Sequence, residues 1–142
     1  MAYWVRVNYE RNEYVVDLDS LSAFACAPNA RISFWLPNST VGITLNPQAD
    51  SEGYQKVLEY VQRLKNQSER LQWEPWIRLN YERNEYLINL NSISSFCYTS
   101  TGRLIFWLPD SRNPIILNPQ NDLDTYQKLL DYIKCKTGHL LP

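Results

Sequence analysis

Trp4-Val5-Arg6-Val7-Asn8-Tyr9-Glu10-Arg11-Asn12-Glu13-Tyr14 returns at residues 76–86 as Trp76-Ile77-Arg78-Leu79-Asn80-Tyr81-Glu82-Arg83-Asn84-Glu85-Tyr86. The offset of 72 residues holds without a gap over residues 4–64 and 76–136, and 30 of the 61 aligned positions are identical. Both copies continue through Phe-Trp-Leu-Pro, Leu-Asn-Pro-Gln and Tyr-Gln-Lys. Val5, Val7 and Tyr9 alternate with Trp4, Arg6 and Asn8, the period of a strand with one core face. Tyr14, Val16 and Leu18 alternate with Val15 and Asp17 in the same way. A two-residue loop at Arg11-Asn12 would set Glu10 opposite Glu13, and like charges across a strand pair repel. The expected hairpin therefore has a four-residue loop closed by Tyr9 opposite Tyr14, with Asn12 taking the positive φ.

Working outward, residues 21–26, 31–36 and 42–45 read as three further strands. Ala27-Pro28-Asn29-Ala30 makes a turn, and Pro37 and Pro47 end the strands before them. Asp50 or Ser51 caps a helix whose apolar stripe is Tyr54, Val57, Leu58, Val61 and Leu64. In the second copy the stripe is Tyr126, Leu129, Leu130 and Ile133, with Asp122 as N-cap and Gly138 as C-cap. The expected fold is α+β: two tandem copies of an antiparallel β-meander of about five strands, each followed by one amphipathic helix. Residues 1–64 form the first repeat, 65–75 a linker, 76–137 the second repeat and 138–142 a frayed tail. Each unit alone would be marginal at this size, so the copies should share buried surface. Packing with pseudo-twofold symmetry is the first expectation; one continuous sheet across both copies is the alternative. Trp73, which has no counterpart in the first copy, is expected to plug the seam.

Composition excludes several classes. A net charge of −1 and a pI of about 5.8 disfavour a nucleic-acid binder, whose affinity rests on neutralising phosphate. No apolar run approaches the roughly 20 residues of a membrane span. Met1-Ala2-Tyr3 leads straight into the first copy, so no secretory leader is expected. Three cysteines, Cys26, Cys97 and Cys135, do not align between copies, which argues against a disulfide framework and fits a reducing cytoplasm. The sequon Asn38-Ser39-Thr40 then reads as chance. The one histidine, His139, sits in the tail, and the four glycines are scattered at Gly42, Gly53, Gly102 and Gly138. Neither a phosphate loop nor a zinc-spaced Cys/His cluster is present. Glu10, Glu13, Glu82 and Glu85 lie in hairpin loops, where carboxylates are solvated. The sequence therefore predicts no catalysis, no cofactor and no metal.

The face opposite each core is richer. It pairs tryptophan with arginine, residue types enriched at interaction hot spots. The candidate partner-binding residues are Trp4, Arg6, Arg31 and Trp35 in the first copy and Trp76, Arg78, Arg103 and Trp107 in the second. Arg11 and Arg83 join them at the hairpin tips. Two readings follow. These faces pack against each other and hide the tryptophans, or they form a groove for a partner protein or extended peptide, with the chain a monomer or homodimer. The second reading predicts an adaptor or assembly factor. A nucleic-acid binder stacking bases on the aromatics and a small-molecule sensor with a pocket between the copies are the alternatives.

The repeated Phe-Trp-Leu-Pro and Leu-Asn-Pro-Gln blocks, with Tyr-Gln-Lys opening an amphipathic helix, resemble small tandem-repeat proteins of cyanobacterial type. That resemblance covers nearly the whole chain and carries no catalytic motif. It implies assembly factors for large photosynthetic or carbon-fixing complexes, including a chaperone for carboxysome components.

Overall fold

The computed structural model describes residues 2–37, 39, 41–70, 76–109 and 114–139, with the backbone alone at 67–70. Trp73 and most of the sequon lie outside the described residues. The fold is α+β, with antiparallel sheets and two helices. The strands of the first copy are β1 (Trp4–Tyr9), β2 (Asn12–Asp17), β3 (Ala23–Cys26), β4 (Ile32–Trp35) and β5 (Gly42–Leu45), followed by helix α1 (Ser51–Arg70). The second copy gives β6 (Trp76–Tyr81), β7 (Asn84–Asn89), β8 (Phe96–Tyr98), β9 (Leu104–Trp107) and β10 (Pro114–Leu117), then α2 (Leu123–Thr137). Helix α1 thus runs through residues 65–70, the first half of the expected linker.

The hairpin differs from expectation. Tyr9 pairs with Asn12, Asn8 with Glu13 and Val7 with Tyr14, so the loop is two residues, Glu10-Arg11. Glu10 (φ 49°) and Arg11 (φ 67°) take the left-handed region, and Glu82 and Arg83 repeat this at 49° and 68°. Two positive φ values in a two-residue loop define a type I′ turn, whose twist matches the flanking strands. The feared Glu10–Glu13 clash does not arise, because this register sets Glu13 opposite Asn8 and near Arg6. Asn12 becomes a strand residue.

The expected five-strand meander is also interrupted. Leu18–Ser20 forms a short 3-10 turn in which Asp17 accepts the Asp19 N–H, and Leu90–Ser92 does the same under Asn89. Each turn redirects the chain, so β2 does not pair with β3, nor β7 with β8. Instead β7 pairs antiparallel with β3: Phe24 faces Leu87 and Ala25 faces Tyr86. Among the described residues three sheets result: β1-β2; β5-β4-β3-β7-β6; and β10-β9-β8. The middle sheet draws strands from both copies, but the other strands stay in two separate sheets, so the one continuous sheet of the alternative does not form among the described residues. Strand pairing is not equivalent in the two copies, since among the described residues β2 pairs with β1 alone and β8 with β9 alone.

The middle sheet separates two cores. On one face Phe24, Phe34, Ile43 and Leu87 meet Val5, Val7 and Val16 of the first hairpin and Val57, Tyr60 and Val61 of α1. On the other, Ala23, Ala25, Tyr86 and Ile88 meet Phe106 and Ile115 of the third sheet and Leu129 and Ile133 of α2. Fully burying such side chains stabilises by roughly 1.5–3 kcal/mol each before conformational entropy is counted. Both helix stripes face these cores as the spacing predicts. Tyr60 also turns inward, with its hydroxyl donating to Asp19, and its counterpart Tyr132 donates to Asn91.

Candidate protein-docking surface

The first hairpin has one face on the first core and one in solvent. The solvent face carries Trp4, Arg6 and Asn8 from β1 and Glu13 and Val15 from β2, because successive side chains alternate. Trp4 and Val15 are each 63% exposed. Arg6 pairs with Glu13 at 3.8 Å across the strands. The start of α1 stands beside this face. The Asp50 carboxylate accepts the Gly53 N–H at 3.1 Å, capping the helix, and the Asn8 N–H at 2.8 Å, holding it to the strand. Gly53 permits the approach, since a Cβ there would lie 3.1 Å from the Arg6 carbonyl oxygen. Between helix and hairpin runs a groove of about 380 Å³ lined by Trp4, Val5, Arg6, Asn8, Val15, Asp50, Glu52, Gly53 and Lys56. Its apolar patch is bordered by charges of both signs, with Lys56 and Glu52 paired at 3.7 Å.

On the same face of the second hairpin the apolar residues pack against the first copy, while Arg78 and Asn80 stay exposed. Trp76 packs on Phe24 with ring centroids 6.1 Å apart, and Leu87, the counterpart of Val15, is 0% exposed. Arg78 Nε donates to Glu85 at 2.9 Å, and Lys65 of α1 pairs with the same carboxylate. Burial pushes the Glu85 carboxyl up, but hydrogen bonds and charge from Lys65 and Arg78 outweigh this and leave it below the ordinary carboxylate range. A charged triad and an aromatic pair thus join the copies here.

The ten candidate residues are therefore divided. Trp4 and Arg6 share the groove. Trp76 and Arg78 belong to the junction between copies. Arg11 and Arg83 are exposed at the turn tips, and Arg31 and Arg103 are exposed just before β4 and β9. Trp35 is half-buried against the second core, lying over Gly42, where a Cβ would meet its ring at 3.2 Å. Trp107, its counterpart, is 44% exposed and pairs across to Pro114. Val15, Asp50 and Lys56 were not among the candidates. Val15 was legible as an apolar residue on an otherwise polar face; the helix residues were not, because their approach depends on tertiary packing.

Among the described residues no group of three or more His, Cys, Asp or Glu stands close enough to hold a metal. The three cysteines are free, and burial pushes the Cys26 thiol up, which weakens it as a nucleophile. No helix among the described residues is long and apolar enough to cross a membrane. Phe24, Trp76 and Leu87 pack together where the two copies meet.

No family model matches the chain, and no curated protein matches it significantly. Among solved structures it is similar to the LytTr DNA-binding domain of a protein described as a methyl-accepting/DNA response regulator from Bacillus cereus. The TM-score is 0.49 at 10% identity, over 89% of this chain and 95% of that chain. A likeness at that level does not transfer the neighbour's activity.

Proposed function

We propose that the chain is a non-catalytic protein-binding module, an adaptor or assembly factor, that docks a partner on the outer face of its first hairpin. The carrying observation is that Trp4 and Val15 stand in solvent while their counterparts are packed into the first core, Trp76 half-buried and Leu87 fully buried. An exposed tryptophan beside an aliphatic residue and an arginine has the composition of an interface anchor. Among the described residues strand β2 pairs on one side alone, and such an edge takes extended partners by strand addition. Trp4→Ser and Val15→Asp change solvent-facing side chains and should leave the thermal midpoint within about 2 °C, as surface substitutions do. Affinity isolation from native cells should then lose the proteins that the unaltered chain retains. An unchanged set of retained proteins with both variants overturns the reading.

Nucleic-acid binding is the second reading. It is favoured by the exposure of Arg11, Arg31, Arg83 and Arg103, and the net charge of −1 weighs against it. A mobility shift at low salt that weakens when Arg31 and Arg103 become glutamine supports it; no shift at low salt ends it.

A further inference from the structure

We propose that the chain assembles head to tail with further copies of itself, β2 of one molecule adding to β8 of the next as β7 adds to β3 within a single chain. This rests on the hairpin being a docking surface and names its partner. The junction inside the chain is the template. There, Phe24 faces Leu87 and Ala25 faces Tyr86, and Asn89 donates its N–H to the Ser22 carbonyl at 2.9 Å. A shift of 72 residues turns these pairs into Phe96 with Val15, Cys97 with Tyr14, and Asp17 with Ser94. Alternation sends the N–H groups of Asn89, Leu87 and Glu85 toward β3. Those of Asp17, Val15 and Glu13 then address the open edge of β2.

Burial agrees position by position. Phe24, Leu87 and Ala25 are buried in the junction, whereas Phe96 is half-buried and Val15 and Cys97 are exposed. The outer face of the third sheet adds a second surface. Cys97 pairs with Ile105, and Ile105 with Ile116, beside the exposed Trp107. The matching ladder in the middle sheet is Ala25, Ser33 and Thr44, whose two hydroxyls bond each other at 2.9 Å. In that ladder Ala25 is buried, Ser33 half-buried and Thr44 exposed, so its solvent-facing members are polar; the third sheet sets half-buried isoleucines at both matching positions, more apolar than a face destined for water requires. Docking would set Trp4 on Phe96 as Trp76 sits on Phe24. Glu13 would arrive already paired with Arg6, so no lone charge is buried. The first hairpin packs on one face of the middle sheet and the third sheet on the other, so β2 and β8 of one chain do not meet. Two different surfaces that fit each other make a heterologous contact, which gives open chains or rings.

Sedimentation of the full chain over a concentration series tests this. The expected weight-average mass at least doubles from 16.8 kDa as concentration rises. Val15→Asp blocks the hairpin end and Cys97→Lys the other, both at exposed side chains, and each variant alone stays monomeric. Their equimolar mixture forms a heterodimer and grows no further, because one intact end of each kind remains. Tyr14→Cys, oxidised, forms a disulfide between residue 14 of one chain and the native Cys97 of another; Cys97→Ser removes that band. A chain that stays at 16.8 kDa at every concentration, or blocked variants that do not complement, overturns head-to-tail assembly. If Val15→Asp nonetheless strips a different protein from the chain in cells, the docking surface stands and only self-assembly falls; if it does neither, both fall.

Discussion

At the residue scale the turn tips carry the clearest tension between sequence and backbone. A type I′ turn favours Asn-Gly, because both central residues need positive φ. This chain places Glu10-Arg11 and Glu82-Arg83 there, at a cost of about 1 kcal/mol or more for each non-glycine residue in the left-handed region. Arg11→Gly with Glu10→Asn should therefore raise stability by about 1 kcal/mol, after the added chain entropy of glycine is subtracted. Urea unfolding reads this directly, and a lower midpoint would mean that the native side chains make compensating contacts. The β3–β4 turn provides a matched pair. Ala30 has φ 72° where its counterpart Gly102 has φ 84°. Ala30→Gly should stabilise and Gly102→Ala destabilise, each by about 1 kcal/mol or less. Like-charge repulsion between Glu10 and Glu13 disfavours a two-residue loop at Arg11-Asn12 but not one at Glu10-Arg11, which sets Glu13 opposite Asn8 and gives the shorter loop observed. The identity of the two hairpins was visible, but positive φ at Glu and Arg runs against residue preference and has no local signal.

At the element scale, the start of α1 depends on one absent side chain. The Asp50 carboxylate serves both the helix and the Asn8 N–H, and Gly53 leaves room for it, since a Cβ would lie 2.4 Å from the carboxylate oxygen. The second copy has Thr125 in this place, and its hydroxyl donates to the Asp122 carboxylate at 2.7 Å. Gly53→Ala should push the Asp50 carboxylate off the strand. The lost charged hydrogen bond costs about 1.5–3 kcal/mol, partly offset by the better helix propensity of alanine, about 1 kcal/mol. The net loss is about 1 kcal/mol, and amide exchange at Asn8 should quicken. Unaltered exchange at Asn8 would show that the strap survives. Helix positions, both stripes, Asp122 and Gly138 were legible because capping and 3.6-residue periodicity are local. The pairing of β7 with β3 was not, because alternation says which face of a strand is apolar but not which edge meets which. The candidate site divided for the same reason: Trp4 and Trp76 have the same local sequence and opposite fates, set by what packs above them.

At the scale of the whole molecule, the two copies are held by a polar contact as well as by apolar burial. Lys65 of α1, in the first copy, and Arg78 of β6, in the second, converge on Glu85 of β7. The Glu85 carboxyl is held below its ordinary value of 4.5. A group whose pKa is lower folded than unfolded binds fewer protons in the folded state. Its stabilising contribution is therefore fully present above the unfolded pKa and fades as pH falls through 4.5 toward the folded value. Glu85→Gln removes that proton linkage and leaves Lys65 and Arg78 facing a neutral amide. The variant should be less stable than the wild type at neutral pH, and the difference should shrink steadily once the pH drops below 4.5. Moderate salt should narrow it too, since Arg78 is well exposed to solvent and its charge is screened. Denaturant unfolding at a neutral and an acidic pH measures both effects. A gap independent of pH would mean that Glu85 acts through packing rather than charge. The first hairpin sharpens this test: Arg6 and Glu13 reproduce two members of the triad, but the position of Lys65 is Thr137 in the second copy. A second copy docked like the internal junction therefore brings Thr137, and not a third charge, to Glu13, and joining two chains should be weaker than the join inside one, where α1 also tethers the partners.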